Sequence, residues 1–426
     1  DSNTGEQGFA ICPEEAAFSS IFDGNNYVIS DMHIGLSGND EYGIGLFGAV
    51  APGTVLRNVR LQDVAIAEDN NVNSWFVGAL VGVADGAIIN SSSVVGGSVF
   101  GSYNVGGLIG SAELGASIDN ASAVLDRVQG TNSKIGGLVG SASTCAISSS
   151  YARIVRVDSL SNFGGKTGGL VGQTSDCSVR SSYADTEEVL SFGEQVGGFI
   201  GLAIDSEITS SYAISRSYIL SGGRVGGLIG LAAGNTSIYA SYARSANINA
   251  GIPPSHAAGL VGDLSESSNI DFSYAFANAI IGIGDVGGLA TRSSTENYQG
   301  ITNSYAASPL ALIAVNKPQS ITIDSSYWDS DLSDLVADSN NMNGRTTVQM
   351  QSGSFAASQY QGWDAAWCNP ATGEFTTDEN VALMGGYATN SVWDFGNIDQ
   401  YPALTCLKSM PASQQFTTNG GGFAAP

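Results

Sequence analysis

Residues able to do chemistry are few in this chain, and their spacing narrows the options quickly. The 426-residue sequence holds two histidines, His33 and His256. That is too little imidazole for a His-based metal centre or a Ser-His-Asp triad. His256 stands near Pro253-Pro254 in a degenerate repeat and reads as a loop residue. The run Asp329-Ser330-Asp331-Leu332-Ser333-Asp334 offers three carboxylates at short spacing, the donors that Ca²⁺ takes. It lacks the glycine and bidentate glutamate of an EF-hand loop. A solvated turn is therefore the primary reading, with Asp329, Asp331 and Asp334 kept as a weak calcium candidate and no other cofactor expected. Arg153, Arg180 and Arg224 do not recur at one offset, so they do not build the ordered Arg and Asp face of a polysaccharide-cleaving cleft. Of five tryptophans, four fall in the terminal region, where they fit a packed cap better than a sugar-binding surface.

The five cysteines are more specific. Cys145 and Cys177 each lie five residues after a closing glycine, Gly140 and Gly172. If one repeat makes one layer, they stack about 4.8 Å apart, which suits a disulfide along the axis and an oxidising compartment. Cys368 and Cys406 are the cysteines of the terminal region and are expected to pair with each other. Cys12 is then left as a free thiol or a link to further chain.

The elements that position these residues come from a repeat. Gly-Gly-Leu-Val/Ile-Gly, or a decayed form of it, closes at positions 48, 82, 110, 140, 172, 201, 230, 262 and 291. A period near 30 with variable spacers describes a solenoid with one layer per repeat. Between signatures, short alternating strands end in Ser-Tyr-Ala, as in Ser149-Ser150-Tyr151-Ala152, and a looser third strand such as Glu188-Val189-Leu190 follows. Three strands per repeat without helical periodicity predict an all-β, right-handed parallel β-helix of about 30 residues per coil. Glycines at the ends of the signature are expected to supply positive φ at corners and close backbone approach. The signature leucines should form an inward ladder, with serine hydroxyls bridging coils. Alternation then turns Val139, Val171, Ile200 and Ile229 outward, as an apolar ladder that loops or a partner must cover.

Composition agrees with an exposed, elongated molecule. Asp and Glu total 39 against 15 Lys and Arg, a net charge of -24, which disfavours nucleic acid and anionic lipid as partners. No apolar run reaches the roughly 18 to 20 residues that span a bilayer. Asp1 does not open a signal peptide, and the chain reads as a mature or excised segment.

The repeated Gly-Gly-Leu-Val-Gly with Ser-Tyr-Ala between resembles the GLUG-motif repeats of bacterial surface and secreted proteins. The stretch from Ile21 to Ser30 and the pairs Trp328-Asp329, Trp363-Asp364 and Tyr401-Pro402 resemble that family's flanks. The resemblance covers roughly residues 17 to 407. It implies an exported β-helix of the adhesin or extracellular-fibre kind, at the surface of a bacterium or beyond it. Similar repeats accompany IgA-specific metallopeptidases, but this chain has no His-Glu-x-x-His.

The expected organisation is a repeat β-helix over 1–323, a Trp-rich capping region over 324–407, and a tail or linker over 408–426. The functional expectation is a non-enzymatic structural or adhesive fibre subunit that associates with its own copies head to tail. Cys12, the tail residues Gly420 and Phe423, and the outward ladder would make the joints. The alternatives are a carbohydrate-binding adhesin module that takes surface glycans, and a polysaccharide-cleaving enzyme.

Overall fold

The computed structural model describes residues 17–35, 42–66, 74–161, 164–251, 255–291, 299–310, 321–332 and 344–351, with the strand residues 367–368, 375–376, 393–394 and 403–404. Within them the chain winds into a parallel β-solenoid of four sheets with 11, 13, 8 and 8 strands. One coil shows the pattern. Lys134–Gly136 belongs to a leading sheet, Val139–Ser143 to a signature sheet, Ala146–Ser148 to a short-strand sheet, and Tyr151–Ser159 to a tyrosine sheet. Each strand pairs in parallel with its equivalents one repeat before and after: Ile109↔Val139↔Val171, Ile118↔Ile147↔Val179 and Ala123↔Ala152↔Ala184.

A coil therefore has four strands rather than the three expected, because the signature itself turns a corner between two sheets. Ser-Tyr-Ala likewise opens the long strand instead of closing the short one. The corner also corrects the outward ladder. Val139, Val171, Ile200 and Ile229 are fully buried beside Leu138, Leu170, Phe199 and Leu228. Within a strand, successive N–H groups point to opposite sides. Here Leu138 N–H and Val139 N–H both donate to Leu170 O, at 2.9 and 3.1 Å, and the next coil does the same onto Phe199 O. The bend cancels the alternation, and both apolar residues face the core.

The signature glycines serve only one of the two purposes expected of them. None takes a positive φ. Instead a Cβ on Gly172 would lie 2.5 Å from Gly140 O and 2.6 Å from Ile135 N, and one on Gly137 would lie 2.1 Å from Gly169 O. The left-handed corners fall elsewhere, at Thr144 and Asp176 before the short strands and at Ser149, Ser181 and Ser210 after them. Asn, Asp and Ser accept this region because their side chains bond locally.

Buried serines follow each of those second corners. Ser150 N–H donates to Ser182 Oγ at 3.2 Å, Ser182 N–H to Ser211 Oγ at 3.3 Å, and the chain of bonds continues to Ser241, Ser273, Ser304 and Ser326. Beside them Tyr151, Tyr183, Tyr212, Tyr242, Tyr274 and Tyr305 stack with ring centroids 4.8 to 5.0 Å apart. Both ends of the core hold aromatics. Phe18 and Phe22 pack on buried Phe47 at one end; at the other, Trp328 replaces the inward alanine of the preceding coil, paired with Ala306. Parallel pairing crosses residue 323 and ends at Trp328↔Gly344 and Asp329↔Arg345. Two antiparallel pairs lie beyond, Trp367–Cys368 with Phe375–Thr376 and Trp393–Asp394 with Ala403–Leu404.

Candidate functional site

The solenoid register brings Cys145 and Cys177 together. Both are buried thiols, and their sulfurs are 2.8 Å apart. They occupy a corner ladder whose next members are hydroxyls: Cys177 N–H donates to Ser206 Oγ at 3.3 Å, and Ser206 N–H to Thr236 Oγ1 at 3.3 Å. The hydrogen bond between the thiols holds Cys177 below the usual thiol range, while the same bond and burial push Cys145 up. Of the other predicted site residues, Cys12, Cys406, Asp334, Gly420 and Phe423 lie outside the described residues, and only the backbone of Cys368 is described.

Asp329 and Asp331 are engaged internally. Asp329 is fully buried and accepts from Thr347 Oγ1 at 2.9 and 2.8 Å and from Asp331 N–H at 2.9 Å. Asp331 accepts from Thr347 N–H at 2.9 Å. The two carboxylates thus hold the first turn of the short helix Thr347–Met350, whose Thr346 and Gln349 form a capping box. Among the described residues, no group of three or more His, Cys, Asp or Glu side chains is placed to hold a metal ion.

The cations bind across coils. Arg127 forks onto Asp158 with two bonds of 2.9 Å, and Arg216 onto Asp185 with bonds of 2.9 and 2.8 Å. Arg156 reaches both Asp158 and Glu188. Arg224 Nε sits 2.6 Å from buried Asp263. His256 opens a strand, His256–Ala258, rather than lying in a loop, and its Nδ1 is 3.6 Å from Asp285. Arg153 lies against the Tyr151 and Tyr183 rings, at 5.6 and 5.7 Å, and Arg345 covers Tyr327 at 4.8 Å. These groups fasten neighbouring layers, which is structural chemistry.

One feature escaped the residue patterns: a groove of about 420 Å³ on the outer face of the short-strand sheet, around Tyr239, Asn269, Asp271, Gly300 and Thr302. Its residues share ladder positions that become visible only once the register is known.

The GLUG motif matches residues 101–126, one full turn that runs from the end of Ser93–Gly101 through Val105–Gly106, Ile109–Glu113 and Ser117–Asp119 into Ser122–Gly130. The chain carries the GLUG motif on a parallel β-solenoid. Over 113 residues, 26% of this chain, it is 34% identical to halomucin of Haloquadratum walsbyi (strain DSM 16790 / HBSQ001), and the stretch matched is 1% of halomucin's length. No solved structure matches. No helix among the described residues is long and apolar enough to cross a membrane.

Proposed function

We propose that this GLUG solenoid is a structural section of an extracellular or cell-surface assembly, a stiff acidic rod whose copies join end to end. The observation that carries the reading is the continuity of its ladders. Serine and tyrosine stack like on like through six or more coils, and the arginines bridge coils rather than converge on a cleft. Such repetition extends length and resists bending, since each layer contacts only its neighbours.

The first coil supplies a joint. Ile21–Asp23 and Val28–Ser30 each pair on one side only among the described strands, and Ile21, Tyr27 and Val28 are more than half exposed. Open strand edges with apolar side chains invite strand addition by another chain, and a head-to-tail contact of that kind does not close. The likeness to a stretch of halomucin supports a surface location. Electron microscopy of the purified chain and of native material tests the reading. Straight rods that lengthen with concentration are expected; compact particles that never associate would leave a monomeric surface module.

A further inference from the structure

The sequence holds four lysines, and two of them meet. Lys134 and Lys166 are paired across adjacent coils on the outer face of the leading sheet, in a ladder that continues through Gln195, Arg224, His256 and Asp285. Arg224 faces Asp263 and His256 faces Asp285. The two lysines have no such arrangement. Every ion pair among the described residues takes Arg or His as its cation. Lys134 Nζ donates to Ser141 Oγ at 3.3 Å and Lys166 Nζ to Gly164 O at 2.8 Å, both uncharged acceptors.

That placement is unfavourable on its own. Both side chains are partly buried, and stacked strands set them about 4.8 Å apart along the axis. Burial, and then the second ammonium, pull Lys134 below the usual lysine range, against the weaker influence of Glu113. The chain has 39 carboxylates, and a purely structural ladder has acids to draw on, as the coil beside Arg127 supplies Asp158. Unrelieved like charge in a partly enclosed place is a mark of ligand sites. The next rung adds a second unmet demand. Gln195 is buried, its Nε2 donates to Glu194 Oε2 at 3.2 Å, and its Oε1 has no hydrogen-bond partner among the described residues.

The shape favours an elongated ligand. Gly136 lies on the same face as Lys134, and a Cβ there would strike the signature strand at Val139 O; a Cβ on Gly172 would in turn strike the leading strand at Ile135 N. The same two contacts recur at Gly168 with Gly201 and at Gly197 with Gly230. On the outside, then, the two sheets fold against each other, and their junction is a re-entrant corner that runs along the axis. Ser141, in the signature strand, stands across that corner from Lys134. Cations spaced about 4.8 Å match roughly one sugar ring along a glycan, whereas acids on one face of an extended peptide recur every second residue, about 6.8 Å. We propose that this corner binds an acidic glycan laid along the solenoid axis, with its carboxylate or sulfate groups on Lys134 and Lys166 and a hydroxyl on the carbonyl of Gln195. The site lies within one chain, so it does not depend on end-to-end joining.

The test measures binding of oligogalacturonate, of carrageenan oligosaccharides as the sulfated series, and of neutral cello-oligosaccharides to the full chain by calorimetry at low ionic strength. Amine acetylation with and without ligand, read by peptide mapping, locates the site. At least one acidic series should bind and should protect Lys134 and Lys166 more than Lys317 or Lys408; which series does so tells carboxylate from sulfate. Lys134→Gln with Lys166→Gln should weaken binding at least about tenfold, the equivalent of 1.4 kcal/mol. Arg60→Gln with Arg180→Gln removes the same charge from exposed positions elsewhere and should bind as the parent does. The proposal is overturned if neither acidic series binds, if the neutral series binds as tightly, if the arginine pair weakens binding as much as the lysine pair, or if protection misses Lys134 and Lys166. Oligoglutamate protecting them better than either glycan would assign the corner to an acidic peptide, and inorganic sulfate doing so at equal concentration would leave an adventitious ion only; both results overturn the glycan. Should the lysine variant fail to fold, the protection pattern on the unaltered chain decides alone.

Discussion

Each serine of the Ser-Tyr pairs has to choose between water and the neighbouring coil, and burial settles the choice. The Ser182 hydroxyl donates to Arg180 O at 2.8 Å and accepts from Ser150 N–H at 3.2 Å, so one small side chain satisfies a backbone donor of the adjacent layer and adds a second bond to a carbonyl that also accepts from Ser149 N–H. Replacing it strands a buried donor, whose desolvation costs about 1–3 kcal/mol. Ser182→Ala should therefore lower stability by that amount in chemical denaturation, although it deletes a single oxygen. An unchanged midpoint would mean that water reaches the corner. The cysteines occupy the equivalent place at the other corner. Two-electron oxidation by oxidised glutathione would join Cys145 to Cys177, with both thiol protons passing to the glutathione disulfide, which is reduced to two thiols. Of the two, Cys177, lowered by its hydrogen bond with Cys145, is the thiol expected to attack. Because the pair lies 32 residues apart, the crosslink should add about 3–4 kcal/mol by the chain-entropy model. Peptide mapping of the denatured, oxidised chain that finds Cys145 and Cys177 both still open to alkylation would refute it.

At the scale of the strand and the corner, register was legible and direction was not. The recurrence of Ser-Tyr and of Leu-Val at a period near 30 places Tyr151 on Tyr183 and Val139 on Val171, and the sheets keep both pairs. Strict alternation, however, says nothing about where a strand bends. It put Val139 outside, whereas the paired N–H groups of Leu138 and Val139 turn both side chains in. The glycines were read half correctly for the same reason. Crowding between layers is a property of the stacked coils, whereas φ at a corner is local, and the corners chose Ser149 and Thr144. The groove was not legible, since Gly300 differs from the crowded glycines only in its surroundings. Gly172→Ala should cost about 1–3 kcal/mol through overpacking against backbone that cannot rotate away. Gly35→Ala, which meets nothing within 4 Å, should leave the melting curve in place. Equal effects of the two would mean that the layers part to admit a methyl group.

For the whole molecule, charge and ends act against each other. A net charge of -24, with every arginine already counted, makes copies repel, while the cross-coil pairs of Arg127, Arg156 and Arg216 fasten the layers without changing it. Among the described residues, the first and last coils of the core carry Phe47 and Trp328, each almost fully buried. Among the described residues, the coil of Ile21–Asp23 and Val28–Ser30 leaves one strand edge unpaired, with Ile21 and Val28 exposed on it. End-to-end contact should therefore be limited by electrostatic repulsion and strengthen as salt shortens the Debye length from about 10 Å at 0.1 M to 3 Å at 1 M. Light scattering and electron microscopy over that range should show rods growing longer with salt. Ile21→Glu with Val28→Glu places on the joint the sign that the partner already carries and removes its apolar contact. That variant should remain short at every salt concentration while melting within a few degrees of the parent, because the two side chains are exposed. Rods that lengthen equally in parent and variant would locate the joint on another surface, and a parent that stays monomeric throughout would remove end-to-end assembly from the reading.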